Sequence, residues 1–217
     1  MTKQNLTSIN IILDRSGSME KLTTETLLGF NKFLAEQKAV EGEATLTLAT
    51  FANDYTLIHD CAPLKDIADL TIETYKAGGY TALYDAIGKT INATGAKLAS
   101  MNEEDRPSKV IVVVISDGEE NRSREFTHDR VMDMILHQRD KYSWEVIYLG
   151  CDLSQVKTAV SLGINASNAI TFVPDAAGIA TSYSSVSSNM SSYRIGNAQQ
   201  VNFFDQGTNV SGSGVKP

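Results

Sequence analysis

One aspartate and two serines lie close together in the stretch LDRSGSME, residues 13–20. Asp14 ends an apolar run at residues 9–13, and Ser16 and Ser18 come two and four residues after it. An almost continuous run of Ile and Leu is typical of a strand that is buried on both faces. Gly17 allows the backbone to turn sharply after such a strand. The pattern therefore predicts three oxygen-bearing side chains in one loop at the carboxyl end of a buried strand.

Two further segments are predicted to bring oxygen atoms to the same place. Asp117 follows a second apolar run at residues 110–115, and Thr81 stands in the glycine-containing stretch GGYTAL that leads into a helix. If the strands before Asp14 and Asp117 are central and adjacent, their carboxylates share one crevice at the edge of the sheet. The candidate ligands are Asp14, Ser16, Ser18, Thr81 and Asp117.

This set of side chains favours a hard divalent cation. Carboxylates and hydroxyls without His or Cys suit Mg²⁺ or Mn²⁺, with Ca²⁺ also possible, far better than Zn²⁺ or Cu²⁺. Two carboxylates and three neutral hydroxyls leave the coordination shell incomplete, so water or an incoming carboxylate must fill it. The sequence therefore predicts a cation that attracts an acidic side chain of a partner protein.

Apolar periodicity predicts the elements that must position these side chains. Buried runs and alternating residues indicate strands at residues 9–13, 46–51, 55–61, 110–115, 144–149 and 169–173. Apolar residues three and four apart indicate helices at about 19–39, 82–99, 154–162 and 176–193, and one more that Thr127 caps. The link at residues 52–54 is too short for a crossover, so the strand after it is expected to be antiparallel at an edge.

The order of these elements predicts the fold class. Strands that alternate with helices form an open sheet with right-handed crossovers. We therefore expect an α/β, doubly wound (Rossmann-like) fold, with a mostly parallel six-stranded sheet, one antiparallel edge strand and helices on both faces. Such folds bind ligands beyond the carboxyl ends of their strands, where the strand order reverses.

The carboxyl-terminal part of the chain divides into a helix and a tail. Its serine-rich segment has the composition of a linker, but apolar residues recur three and four apart between residues 179 and 193. This spacing predicts a helix with serines on its solvent-facing side. We expect the domain to cover residues 1–193 and the tail, residues 194–217, to be flexible or partly docked through Phe203 and Phe204.

Composition excludes several classes of partner. The 217 residues suffice for one α/β domain, and 19 basic against 26 acidic residues give a net charge of −7. No cluster of Lys and Arg suits a phosphate backbone, so we expect no nucleic acid partner. The amino terminus lacks the apolar region of a signal peptide, and no apolar run has the length of a membrane span. We therefore expect no membrane partner and a cytoplasmic location.

The five candidate ligands also resemble a known motif. The pattern DxSxS from Asp14 to Ser18, the threonine at position 81 and the sequence SDG at 116–118 follow one another in the chain. They resemble the metal-ion-dependent adhesion site (MIDAS) of the von Willebrand factor type A (vWA) domain family, in particular of stand-alone bacterial or phage members. The resemblance extends over roughly residues 6–193, and it implies a module that binds a partner protein and is not an enzyme.

The resemblance also implies roles for single residues. The three hydroxyl side chains would be direct or near-direct ligands of the ion, whereas Asp14 and Asp117 would bind it directly or through water. One departure from the family pattern is Tyr80, which stands between the glycine pair and Thr81, where many members have Gly-Gly-Thr or Gly-x-Thr. This residue is a reason to expect a shifted Thr81 loop.

Two alternative functions stay open on the sequence. An aspartate at a strand end beside Mg²⁺ also describes a phosphohydrolase with Asp14 as its nucleophile. Such enzymes need a second acid two residues later, and this chain has Ser16 there. The other alternative is a scaffold in which the metal is purely structural.

Residues next to the candidate ligands also allow two interpretations. Arg15 either faces the carboxylate of a ligand or points into solvent. Residues 119–121 either shape the rim of the metal site or form a solvated acidic loop, and the sequence favours the solvated loop.

Overall fold

The computed structural model describes residues 1–198 and 200–201, and in them six strands form one sheet. The strands are β1 (Lys3–Asp14), β2 (Glu43–Phe51), β3 (Tyr55–Pro63), β4 (Pro107–Ile115), β5 (Glu145–Gly150) and β6 (Ala169–Thr171). The α-helices are α1 (Thr23–Ala39), α2 (Leu83–Ser100), α3 (His128–Tyr142), α4 (Leu153–Ser161) and α5 (Ala176–Arg194). Each predicted strand and helix is present, with boundaries that differ by a few residues.

The sheet has the strand order β3-β2-β1-β4-β5-β6. Strand β3 pairs antiparallel with β2 at one edge, and all other neighbouring strands are parallel. The predicted fold class is therefore confirmed. The strand order reverses between β1 and β4, where Leu13 pairs with Ile115. The residues that follow these two strands consequently lie side by side at the switch point of the sheet.

The two faces of the sheet are covered by different helices. On one face, Ile11 of β1 belongs to a buried cluster with Phe33 of α1 and Met190 of α5. On the other face, Ile12 of β1 belongs to a second cluster with Ile87 of α2, to which α3 and α4 also contribute. Successive side chains of a strand point to opposite faces, so the uninterrupted apolar runs reflect burial on both sides.

The ends of the helices follow from local sequence. The Thr127 hydroxyl accepts a hydrogen bond from the Arg130 N–H at 3.3 Å and caps α3, as predicted. Residues 17–22 form a 3₁₀ turn, so α1 begins at Thr23, four residues later than the periodicity suggested. None of the helices in the described part of the chain is long and apolar enough to cross a membrane.

The prediction that the serines of α5 face the solvent is only partly correct. Ser187 is 2% exposed, and its hydroxyl accepts a hydrogen bond from the Gln37 side chain at 3.1 Å. The cause is the close approach of α1 and α5, since a Cβ atom on Gly29 would lie 2.4 Å from the Tyr183 ring. Serine is small enough for this contact, and its hydroxyl satisfies a buried amide. The serine therefore belongs to the helix interface.

The structure describes only the first residues of the predicted tail. Helix α5 ends at Arg194, and Val201 is 2% exposed and belongs to the cluster between the sheet and α1. Phe203 and Phe204 lie outside the described residues. The division into a domain at residues 1–193 and a tail at residues 194–217 stays a prediction.

Candidate metal centre

The Asp14 carboxylate lies at the carboxyl end of β1 and is fully buried, with 0% exposure. One carboxylate oxygen accepts a hydrogen bond from the Ser16 N–H at 2.6 Å, and the other accepts one from the Ser116 hydroxyl at 2.5 Å. The Tyr75 hydroxyl donates to the Asp14 carbonyl oxygen at 2.6 Å. These contacts fix both the backbone and the carboxylate at the switch point of the sheet.

Hydroxyl groups connect this buried carboxylate to the surface. The Ser16 and Ser18 hydroxyl oxygens are 3.1 Å apart, and the Ser18 hydroxyl donates to the Asp117 carboxylate at 2.5 Å. Ser16 is buried, Asp117 is half-buried and Ser18 is exposed. The loop after β1 and the loop after β4 therefore present their oxygen atoms to each other across the switch point.

The Thr81 hydroxyl reaches the same place from a third segment. A Cβ atom placed on Gly118 would lie 2.6 Å from the Thr81 hydroxyl oxygen and 3.4 Å from a carboxylate oxygen of Asp14. Asn121 holds Thr81 from both sides: its side-chain oxygen accepts from the Thr81 N–H at 2.9 Å, and its N–H donates to the Thr81 carbonyl at 3.0 Å. The structure thus brings all five predicted side chains together, and a side chain at position 118 would displace the Thr81 hydroxyl.

Backbone contacts join the loop after β1 to the loop that carries Thr81. The Gly17 N–H donates to the Gly79 carbonyl at 3.0 Å, and the Gly78 N–H donates to the Arg15 carbonyl at 2.7 Å. Gly79 has a φ of +92°, a conformation that favours glycine. The additional Tyr80 is 59% exposed and points outward, while Thr81 is 3% exposed. The presence of Tyr80 before the threonine therefore does not turn Thr81 away from the candidate metal centre.

The two carboxylates have no cationic partner within residues 1–198 and 200–201. Arg15 instead pairs with Asp54 in the β2–β3 hairpin, with 2.7 Å between nitrogen and oxygen. Burial raises the pKa of Asp14 to about 6, although the hydrogen bonds from Ser116 and Ser16 lower it. Burial also raises the pKa of Asp117, and the hydrogen bond from Ser18 lowers it.

A divalent cation fits this donor set. The carboxylates are placed where their negative charge is uncompensated, and such burial is costly unless a cation offsets it. The Tyr148 hydroxyl, near Ser116 and Asp14, is also buried and has no hydrogen-bond partner among the described residues. The described residues contain no group of three or more His, Cys, Asp or Glu side chains that could hold a metal. The candidate site here instead combines two carboxylates with three hydroxyls. The donors are all oxygen atoms, which Mg²⁺, Mn²⁺ and Ca²⁺ prefer.

The segment after Asp117, which we call the acidic loop (residues 118–127), differs from its predicted state. The Glu120 carboxylate accepts hydrogen bonds from the backbone N–H groups of Tyr84 at 3.0 Å, Arg122 at 2.8 Å and Ser123 at 2.7 Å. The interpretation as a solvated loop is therefore wrong for Glu120, whose carboxylate ties the acidic loop to the first turn of α2. Backbone amides along the loop, which composition does not reveal, provide these contacts.

Tyr75 is a residue that sequence reasoning missed. It is 0% exposed and holds the Asp14 carbonyl, yet it lies outside the helices and strands in a segment without apolar periodicity. Its only signal in the sequence is an aromatic side chain among polar residues. Such a signal does not show which backbone atom the hydroxyl will reach.

Solved structures with similar backbones provide the comparison. A von Willebrand factor type A protein from Catenulispora acidiphila matches with a TM-score of 0.60 and 13% identity, over 86% of this chain and 42% of that one. The vWF domain of the type V pili tip protein Mfa5 from Porphyromonas gingivalis matches with a TM-score of 0.62 and 11% identity, over 85% of this chain and 94% of that one. The chain has the fold of a von Willebrand factor type A domain.

A third structure with the vWA fold contains a metal. Proximal thread matrix protein 1 from the mussel byssus, solved with a zinc-occupied MIDAS motif, matches with a TM-score of 0.61 and 11% identity, over 84% of this chain and 47% of that one. This chain spans less than half of the Catenulispora and mussel proteins. No protein-family model and no curated protein matches the sequence.

Proposed function

We propose that this chain is a divalent-metal-dependent protein-binding module. The observation that carries the proposal is a buried carboxylate, Asp14, that shares the switch point of a vWA fold with Asp117 and three hydroxyls, and that forms no ion pair with a described side chain. The five side chains would hold Mg²⁺ or Mn²⁺, and the same oxygen donors accept Ca²⁺. When bound, the ion supplies an open coordination position for a carboxylate of a partner protein.

The candidate ligands lie at different depths below the surface. Asp14 and Ser16 are buried and form the floor of the site, whereas Ser18 is exposed and Asp117 half-exposed at its mouth. Asp14 supplies negative charge, and its hydrogen bonds from Ser16 and Ser116 fix the direction of its oxygen atoms. A partner carboxylate must therefore approach from the side of Ser18 and Asp117.

The geometry argues against a phosphohydrolase. Both carboxylate oxygens of Asp14 accept hydrogen bonds, and the side chain is fully buried. The remaining lone pairs can bind a small ion, whereas a nucleophile must also contact the phosphate group of a substrate. Position 16, where such enzymes need an acid, holds a buried serine. We therefore propose a binding function without catalysis, and we keep the cytoplasmic location as an expectation.

Capture of a partner tests the proposed function. We expect a protein that binds the chain in Mg²⁺ or Mn²⁺ and is released by EDTA, and we expect Asp14→Asn to abolish that capture. Asp133→Asn, on the exposed face of α3, serves as the matched control and should bind like the wild type. Metal-independent capture, or full capture by Asp14→Asn, would contradict the proposal. A metal that raises the melting temperature while no protein is captured, with or without the metal, would indicate the scaffold instead.

A further inference from the structure

A groove lies beside the candidate metal centre, on the side of the β2–β3 hairpin. Its volume is about 160 Å³, and it is formed by the hairpin, the first turns of α2 and the acidic loop. Ala82, the residue after Thr81, lines the groove, so the groove and the metal centre are direct neighbours. A partner segment that reaches the metal can therefore extend into the groove.

The acidic side chains of this groove are already bound. Asp54 pairs with Arg15 at 2.7 Å, and Glu125 pairs with Lys89 at 2.6 Å. The Asp85 carboxylate accepts hydrogen bonds from three successive backbone N–H groups of the acidic loop, at 2.8 to 3.0 Å. Each acidic side chain in the groove therefore has its own partner, and none of these partners is the guanidinium of Arg122 or Arg124.

Two guanidinium groups of the groove have no acidic partner among the described residues. Arg122 and Arg124 line it and are exposed, and neither forms an ion pair with any residue that the structure describes. The Arg122 guanidinium lies over the ring of Tyr80, the residue before Thr81, 5.5 Å from the ring centre, and this stacking restrains it. A planar guanidinium with several N–H donors matches a carboxylate in shape and charge.

We propose that this groove is a second carboxylate site, and that the partner segment carries two acidic residues close together. One carboxylate would complete the shell of the metal, and the other would bind Arg122 and Arg124. This inference rests on the proposed function, since the metal centre fixes where the segment lies. The two guanidinium groups in this groove have no acidic partner among the described residues, so an acidic segment is the occupant that matches their charge.

Short synthetic peptides with blocked termini test the second site. One probe carries a single Asp between glycines, and three others carry two Asp residues that are adjacent, one apart or two apart. Binding to the Mg²⁺-loaded protein is measured by fluorescence anisotropy, and each titration is repeated in EDTA. One double variant combines Arg122→Ala and Arg124→Ala. Arg130→Ala on α3 is the matched control, because Arg130 is also exposed but lies outside the groove.

We expect at least one two-Asp peptide to bind about threefold to tenfold more tightly than the one-Asp peptide. The double variant should lose this advantage, retain the affinity for the one-Asp peptide and retain Mn²⁺ binding, and Arg130→Ala should behave like the wild type. Added salt should reduce the advantage, because an exposed ion pair is screened.

Other outcomes separate the two proposals. Equal binding of all peptides in Mg²⁺, or an equal loss for all of them in the double variant, would overturn the second site and leave the metal-dependent function intact. A one-Asp peptide that fails to bind in Mg²⁺ would overturn the proposed function instead. In that case, the two-Asp peptides decide the second site. If they bind in EDTA and lose binding in the double variant, the groove is supported as a carboxylate site. If they do not bind in EDTA, the second site is overturned as well.

Discussion

Replacing Asp14 with Asn should stabilise the metal-free protein at neutral pH. Burial raises the pKa of Asp14 to about 6, from a usual value of about 3.9, so its ionised form is disfavoured in the folded state. A difference of about two pKa units corresponds to about 3 kcal/mol. An Asn side chain removes this cost because it carries no charge at any pH.

The hydrogen bonds of Asp14 reduce the expected gain only partly. The amide oxygen of an Asn can still accept from the Ser16 N–H, and its amide nitrogen can donate to the Ser116 hydroxyl, which becomes the acceptor. Exchanging charged for neutral hydrogen bonds costs about 1 kcal/mol. The net gain is then about 2 kcal/mol, which for a domain of this size raises the melting temperature by about 4–8 °C.

Calorimetry and denaturant unfolding in EDTA at neutral pH measure this gain directly. Saturating Mg²⁺ should reverse the order of stability, because a metal at one hundred times its dissociation constant adds about 2.7 kcal/mol to the wild type alone. Asp133→Asn, which removes an exposed charge on α3, should respond to Mg²⁺ like the wild type. A loss of stability in the metal-free Asn variant, or an unchanged response of that variant to Mg²⁺, would refute the reasoning.

Three further predictions concern pH, position 118 and Tyr75. In EDTA, the folded state binds more protons than the unfolded state between about pH 4 and pH 6, because the pKa of Asp14 is raised. The contribution of protonated Asp14 to stability should be complete below that range and be lost as the pH rises through about 6. Denaturation of Asp14→Asn at different pH values should not show this loss. Gly118→Ala should weaken Mn²⁺ binding at least tenfold in calorimetric titration, since its Cβ would lie 2.6 Å from the Thr81 hydroxyl, whereas Gly95→Ala, with open space around its Cβ, should bind Mn²⁺ normally. Tyr75→Phe removes the hydrogen bond to the Asp14 carbonyl and should lower the free energy of unfolding by about 1 to 3 kcal/mol, and an unchanged denaturation midpoint would show that this bond contributes nothing.

The fold was predictable because its signals are local. The apolar runs before Asp14 and Asp117 are long enough to mark strands that are buried on both faces, and the short link at residues 52–54 marks a hairpin. What local signals do not contain is the order of strands in the sheet. The site prediction depended on β1 and β4 being neighbours, which the sequence does not show and the structure does.

The errors arose where two distant segments decide the state of a side chain. Ser187 is buried because two residues of α1 decide its surroundings. Gly29 allows the close approach of the two helices, and the Gln37 amide donates a hydrogen bond to the Ser187 hydroxyl. Glu120 is bound because the amino-terminal turn of α2 offers it a free N–H at Tyr84. Periodicity describes one element at a time, so it cannot identify contacts of this kind.

A crystal structure of the protein soaked in Mn²⁺ tests the central claim most directly. Anomalous scattering identifies the ion, and the same crystals of Asp14→Asn provide the control. The proposal predicts one anomalous peak at the carboxyl edge of the sheet, within bonding distance of oxygen atoms from the set Asp14, Ser16, Ser18, Thr81 and Asp117, and no peak there in Asp14→Asn. Crystals of the wild type without a peak at this position, or an equal peak in Asp14→Asn, would contradict it.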